Sequence, residues 1–270
     1  MRFEDLLKIV DREPVFETGL LLAGNVDPAD VRRQLSRWVT AGRLYQLRRG
    51  LYALAPPFQK VLPHPFLVAN RLDPSSYVSL QSVLAQHSLI PEYVPVTTSV
   101  TMGRPGRWDT PLGSYLFRHL QADLLTGFHR VALAGGQDAL VALPEKALLD
   151  LVYLEPDADS PQYLAELRLQ NLEEILDLTE LRRLSDASGK PKLRRAAERI
   201  SELAEIEARE YRYLQHGLGQ IVQASATPPT RQRSELPVTR AATGRSLPSL
   251  TTGDIDRLLE EEDIASGQRG

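Results

Sequence analysis

Six arginines, Arg32, Arg33, Arg37, Arg43, Arg48 and Arg49, fall within a short span of the chain that contains a single acid, Asp30. Guanidinium groups clustered in this way suit phosphate. Duplex DNA carries about one phosphate charge per 1.7 Å of axis, so a local cationic cluster can recruit it by counterion release although the 270-residue chain has a formal net charge of −3. Arginine is also the side chain best matched to guanine in the major groove, with hydroxyl and amide groups as further readers of base edges. On this chemistry Arg32, Ser36, Arg37 and Thr40 are candidate base readers, Arg48, Arg49 and Gln46 are candidate hairpin contacts to phosphate or the minor groove, and Arg33 and Arg43 are further candidate DNA-binding residues. The competing reading is an exposed helix face whose arginines are merely solvated.

A second cationic segment, Gly103-Arg104-Pro105-Gly106-Arg107-Trp108, contains the Gly-Arg-Pro tripeptide of short minor-groove hooks, beside an indole able to stack on a base or an arginine. Arg104, Arg107 and Trp108 are therefore candidates for a second nucleic-acid or protein contact. The alternative is an ordinary hairpin tip between two strands.

Enzymatic signals are weaker. Glu145, Lys146 and Asp150 have the residue types of a metal-dependent nuclease, but such a site needs carboxylates converging from strands. Lys146 and Asp150 lie four apart on one helix and can pair with each other, and Glu145 suits the first helical turn after Pro144. Cysteine is absent, which excludes thiolate metal sites, disulfides and cysteine nucleophiles. His64, His87, His119, His129 and His216 are scattered, and only His119 with Asp123 has helical ligand spacing, so no metal site is expected. No Gly-x-Ser-x-Gly, phosphate loop or dinucleotide fingerprint occurs, and no cofactor is expected.

The elements that must position the arginines are legible from periodicity. Phe3, Leu6, Leu7 and Val10 predict a first helix ending near Glu13, and Phe16–Ala23 reads as a second short helix stopped by Gly24. Asp27-Pro28 has the form of an N-cap followed by proline at the first helical position, opening a helix to Ala41. Its apolar stripe is Val31, Leu35, Trp38 and Val39, which leaves the arginines on the other faces. Leu44–Leu47 and Leu51–Leu54 flank Arg48-Arg49-Gly50, a tight hairpin. Three helices followed by a basic hairpin make a winged helix, spanning residues 1–57.

From Pro63 the pattern changes. Tyr77–Leu89 predicts a helix, Pro95–Met102 and Gly113–Leu120 predict strands, and Phe128–Leu133 and Asp138–Ala142 predict a further strand pair. An apolar helix follows from Pro144 to Leu154, then two helical stretches, Leu164–Leu184 and Leu193 to about Tyr213, which form a hairpin around Ser188-Gly189-Lys190-Pro191. The expected class is α+β rather than alternating βαβ, with a second domain over residues 63–215. The arginine- and lysine-rich turn of the helical hairpin reads either as internally paired or as a basic surface. Beyond Gly219 the chain is rich in Thr, Ser, Pro, Gln and Arg and is expected to be a mostly disordered tail over 219–270, apart from a short acidic helix from Asp254 to Asp263. No stretch reaches the roughly 18 apolar residues of a membrane helix, and the charged first residues lack a signal-peptide core, so a cytoplasmic protein without membrane contact is expected.

Two segments carry a family resemblance. Val31 through Val39 with Gly42 through Leu54 resembles the amino-terminal winged helix of the AbiE-type, or type IV, antitoxins of bacterial abortive-infection (phage-defence) toxin–antitoxin systems. Tyr77-Val78-Ser79-Leu80-Gln81-Ser82-Val83-Leu84, Leu89-Ile90-Pro91-Glu92 and Leu143-Pro144-Glu145-Lys146-Ala147-Leu148-Leu149-Asp150-Leu151 are similar to helices of that family's antitoxin domain. Together these matches reach to about Tyr213, and the tail is outside them. The resemblance implies a non-enzymatic antitoxin that represses transcription from operator DNA upstream of its own operon and opposes a nucleotidyltransferase-like toxin, by direct contact or indirectly. A stand-alone winged-helix transcription factor with a ligand-sensing or dimerisation domain is the other reading, and a nuclease is the third.

Overall fold

The computed structural model describes residues 1–22 and 26–226, with side chains as far as residue 212. It is a mixed α+β structure with two sheets. α1 (Phe3–Val10) buries Phe3, Leu6 and Val10, as its spacing predicts. The next element departs from expectation. Phe16–Glu17 forms a short strand, β1, and only Thr18–Leu22 coils, as a single 3-10 turn. Tertiary pairing overrides local pattern here: Phe16 lies opposite Tyr52 and Glu17 opposite Leu51, with the Phe16 and Tyr52 rings stacked at 5.9 Å. Gly24, the expected stop, lies outside the described residues.

α2 (Pro28–Thr40) begins as predicted, with the Asp27 carboxylate accepting the Ala29 N–H at 2.9 Å. Gly42, at φ 68°, turns the chain out of the helix in a conformation costly for residues with a Cβ. β2 (Leu44–Arg48) and β3 (Leu51–Leu54) follow, joined by Arg49-Gly50 alone, with a register shift between Gln46 and Arg48. Arg48 is thus a strand residue rather than part of the loop. The sheet order is β1-β3-β2. Phe3, Leu6, Val31, Leu35, Trp38, Leu44 and Leu54 close one small core beneath it, where the Trp38 ring meets Phe3 edge-on at 5.4 Å.

The larger core surrounds a six-stranded sheet in the order β6-β7-β5-β4-β9-β8. Its strands are β4 (Ser76–Val78), β5 (Val96–Thr101), β6 (Gly106–Thr110), β7 (Gly113–His119), β8 (Phe128–Leu133) and β9 (Gln137–Ala142). β5 runs parallel to β7, and β4 pairs in parallel with β9 at Val78 and Val141; the remaining pairs are antiparallel. Helices α3 (Pro65–Leu72), α4 (Gln81–Gln86) and α5 (Pro144–Leu154) pack against this sheet. α6 (Pro161–Glu166), α7 (Leu172–Ile175), α8 (Leu178–Ala187) and α9 (Pro191–Ala226) complete the chain order.

Four differences from the sequence reading share one cause, the dependence of short strands and short helices on their neighbours. The predicted helix Tyr77–Leu89 is split: Ser76–Val78 is drawn into the sheet between β5 and β9, and Leu80, at φ 60°, makes the corner before α4. The segment read as a loop beyond Gly103 becomes β6 from Gly106, paired with β7 from Gly106–Phe117 to Thr110–Gly113. α3 is a helix not expected from sequence, opened by His64 and Pro65. Leu164–Leu184 is three short helices rather than one, broken where Arg168 and Asn171 take positive φ and where Asp177 caps α8. At the far end the α9 backbone stays helical through Gly217 and Gly219 to Ala226, past the boundary expected at Gly219. The expected acidic helix Asp254–Asp263 lies outside the described residues. Among the described residues, no helix is long and apolar enough to cross a membrane.

Trp38→Ala is expected to lower the unfolding free energy by about 3–5 kcal/mol, because it empties an aromatic site that supports both Phe3 and α2. Urea denaturation of the two proteins checks this, and coincident midpoints would place Trp38 outside the core.

Candidate nucleic-acid interface

The geometry of α2 follows from its period. Val31, Leu35 and Trp38 turn inward, so Arg32, Arg33, Ser36, Arg37 and Thr40 are all exposed on the remaining faces. They are not equivalent. Arg33 is held in an ion pair with Asp30, one turn earlier. The Thr40 hydroxyl donates to the Ser36 carbonyl at 3.1 Å, so its proton is committed to the helix backbone and its oxygen remains as an acceptor. Arg32, Ser36 and Arg37 have side chains without a hydrogen bond or ion pair among the described residues, and form the part of the face open to a ligand.

The hairpin divides its cations in a way that spacing could not show. Arg43 lies over the Phe3 ring at 5.0 Å, a cation–π contact that fixes it beside the small core. Arg48 turns back toward the body, where its guanidinium donates to the Arg71 carbonyl at 3.2 Å and to the Arg49 carbonyl at 3.3 Å and lies 3.5 Å from the Glu17 carboxylate. Its Nε is buried without a partner among the described residues. Arg49 and Gln46 remain exposed. The hairpin tip is anchored, since Gly50, at φ 82°, accepts the Thr18 N–H at 2.9 Å through its carbonyl. Residues 1–60 carry ten Lys and Arg against seven Asp and Glu, an excess of cations in a chain that is anionic as a whole.

The second basic segment separates in the same way. Arg107 is bound through Nε to both Asp109 oxygens at 3.1 Å. Trp108 is half-buried with its ring edge-on to Phe117 at 5.3 Å, so the indole packs on the sheet instead of standing free to stack on a base. Arg104 alone of the three is exposed without an ion pair among the described residues. Most cations of the basic turn of the helical hairpin are likewise consumed internally: Arg183 pairs with Glu180, Arg194 with Asp186 and Arg195 with Asp159, while Lys192 and Arg199 donate to the Glu155 and Asp159 carbonyls; Arg182 has no such partner among the described residues.

Sequence reasoning missed a buried polar centre. Asp150 is 1% exposed and accepts hydrogen bonds from the Ser79 hydroxyl at 2.7 Å and the Tyr77 hydroxyl at 3.0 Å, while Lys146 pairs with its other oxygen. Tyr77 and Ser79 are two apart at the end of β4 and so face the same side, and Lys146 and Asp150 are four apart on α5. Burial pushes the Asp150 carboxyl up against the lowering effects of Lys146, Ser79 and Tyr77, and burial beside Asp150 pushes the Tyr77 phenol up as well. Glu145 is also buried; its Oε1 accepts the Asp177 N–H at 2.7 Å, fixing the start of α8. Burial raises the Glu145 carboxyl, its backbone hydrogen bonds opposing this. The i, i+4 spacing of Lys146 and Asp150 was visible, but their enclosure was not.

His119 lies at the end of a strand, and its Nδ1 is 3.0 Å from the Gly103 carbonyl, so the helical spacing with Asp123 is not realised. No group of three potential metal ligands occurs among the described residues. No protein-family model matches the chain, and no curated protein matches it either.

Lys146→Ala is expected to destabilise the fold by about 3–5 kcal/mol by leaving a buried carboxylate without its ion partner. Glu145→Gln tests the raised carboxyl. Stability from a group with a raised folded pKa is present below its unfolded pKa and is lost as pH rises through the folded value, so the stability of Glu145→Gln relative to wild type should grow from pH 4 to pH 7. Thermal melts at the two pH values check the sign, and an advantage that shrinks with pH contradicts it.

Proposed function

We propose that this chain is a non-enzymatic, DNA-binding antitoxin of the type IV, abortive-infection class, a transcriptional autorepressor whose amino-terminal winged helix reads operator DNA upstream of its own operon. Its second unit opposes a nucleotidyltransferase-like toxin. The observation that carries the DNA half is the α2 face, where Arg32, Ser36 and Arg37 stand exposed and uncommitted above a core that holds the helix rigid. The element order helix, strand, turn, helix, hairpin and the sheet order β1-β3-β2 support the winged-helix reading. The antitoxin half rests on the resemblance of the segments around Tyr77–Leu84 and Leu143–Leu151, whose centre is the polar junction of Tyr77, Ser79, Lys146 and Asp150. A non-enzymatic role is supported by the burial of the acid–lysine cluster, with Glu145 4%, Lys146 5% and Asp150 1% exposed.

A stand-alone transcription factor is the second reading, and one feature favours it. A cleft of about 530 Å³ lies between residues 9–14, α3 and the β8–β9 turn, of a size suited to a small ligand. It predicts DNA affinity that changes when a small ligand is added, and no toxic neighbouring gene.

Fluorescence anisotropy on DNA from upstream of the gene, at several salt concentrations and against an unrelated duplex, tests the repressor half. Arg37→Ala is expected to weaken binding and relax sequence preference, with Arg49→Ala lowering the salt slope by about one unit. Arg48 is a poor probe because it also holds the hairpin to α3. No preference over the unrelated duplex would remove the repressor reading, and a neighbouring gene that is harmless with or without this protein would remove the antitoxin reading.

A further inference from the structure

The hairpin tip and the β5–β6 turn are remote in sequence but joined by a short chain of hydrogen bonds. Arg48, next to the tip, donates to the Arg71 carbonyl in the last turn of α3 at 3.2 Å. Two residues on, the Asp73 carboxylate accepts from the Thr101 hydroxyl at 2.6 Å and from the Ser75 hydroxyl at 2.7 Å, and those hydroxyls are 3.0 Å apart. Thr101 in turn accepts the Gly103 N–H at 2.9 Å, and His119 holds the Gly103 carbonyl at 3.0 Å. Gly103, the residue before Arg104, is therefore held through both its N–H and its carbonyl, and the same chain of contacts leads back to Arg48 beside the hairpin tip.

Arg104 is distinguished from the other arginines of residues 63–212 by what surrounds it. Among the described residues of that range, Arg71, Arg104, Arg182 and Arg209 have guanidinium groups with no ion pair or hydrogen bond. Three of these line hollows that also hold carboxylates: Arg71 with Asp138, Arg182 with Glu198, and Arg209 with Glu173. Arg104 lines none of these hollows and is exposed. Asp73, whose carboxylate accepts from the Ser75 and Thr101 hydroxyls, makes no ion pair with Arg104 among the described residues. An exposed guanidinium without an ion pair, carried next to a backbone that is held in place, is available to a phosphate.

We propose that the DNA surface does not end at the hairpin but continues across the end of α3 onto the β5–β6 turn, where Arg104 contacts a phosphate of the same duplex beyond the segment read by α2. This rests on the DNA-binding reading above and adds to it a contact from the second unit, so that the duplex spans both cores.

The test uses the full chain on DNA from upstream of its gene, with hydroxyl-radical footprinting and the salt dependence of anisotropy. Arg104→Ala should lose protection at one flank of the footprint, keep the sequence preference, and lower the salt slope by about one unit. Arg104→Lys should restore the slope, because a phosphate requires the charge and not the fork geometry. Shortening the duplex to the remaining protected core should lower the wild-type slope and leave that of Arg104→Ala unchanged. An Arg104→Ala footprint and slope equal to wild type would overturn the extension, as would failure of Arg104→Lys to restore the slope. The two levels separate cleanly: loss of binding in Arg37→Ala without effect in Arg104→Ala sinks only the extension, whereas wild-type binding no tighter than to an unrelated duplex sinks the DNA reading itself.

Discussion

A carboxylate removed from water must be satisfied by its neighbours, and Asp150 meets that requirement with groups from two different elements. Its ion pair with Lys146 stays within α5, but its bonds from Tyr77 and Ser79 reach across to the end of β4. That bridge defines how the helix sits on the sheet, because sliding either element by one residue would turn the hydroxyls away and leave the charge unpaired. β4 is also the strand that joins the two halves of the sheet, lying between β5 and β9. Glu145 extends the same constraint outward, since its bond to the Asp177 N–H sets where α8 begins and hence how the last helices cover α5.

The two cores are not independent beads. Val15, Leu47, Leu51 and Ala53 belong by position to the first sixty residues, yet they pack into the larger core, so the back of the β2–β3 hairpin is a wall of the second unit. Arg48 reinforces this by placing its charge at the carboxyl end of α3, where the helix dipole favours a cation. Gln137 ties the linker, donating to the Leu62 carbonyl at 2.9 Å and accepting the His64 N–H at 2.8 Å. Under the proposed function, α2 is therefore presented to DNA from a platform whose orientation is set by the second unit.

The cations of this chain divide into those that hold it together and those left over. Arg118, Arg183, Arg194 and Arg195 all have carboxylate partners in the fold, and exposed pairs of this kind contribute little stability each. Arg32, Arg37, Arg49 and Arg104 have none among the described residues, and under the proposed function such charges are available to an external anion. Composition could not separate the two sets, because both consist of arginines among acids in a chain of net charge −3.

From sequence alone the N-cap and apolar stripe of α2, the hairpin after Gly42, the strands β5, β7, β8 and β9, and helix α5 are legible, because each is specified by residues near one another in the chain. The exposed face of α2 is legible for the same reason: once Val31, Leu35 and Trp38 turn inward, Arg32, Ser36 and Arg37 have nowhere else to go. What only the tertiary structure decided is everything that depends on a distant partner. Phe16–Glu17 became a strand because Tyr52 and Leu51 offered a free edge, and Tyr77 joined the sheet because its segment pairs with Val100 of β5 on one side and Val141 of β9 on the other. Arg48 and Arg49 are adjacent and identical in type, yet one is spent on a carbonyl of α3 and the other faces water. Periodicity reports which side of an element is apolar, whereas whether a charged group on the other side meets solvent or a partner is settled by the neighbour that packs there.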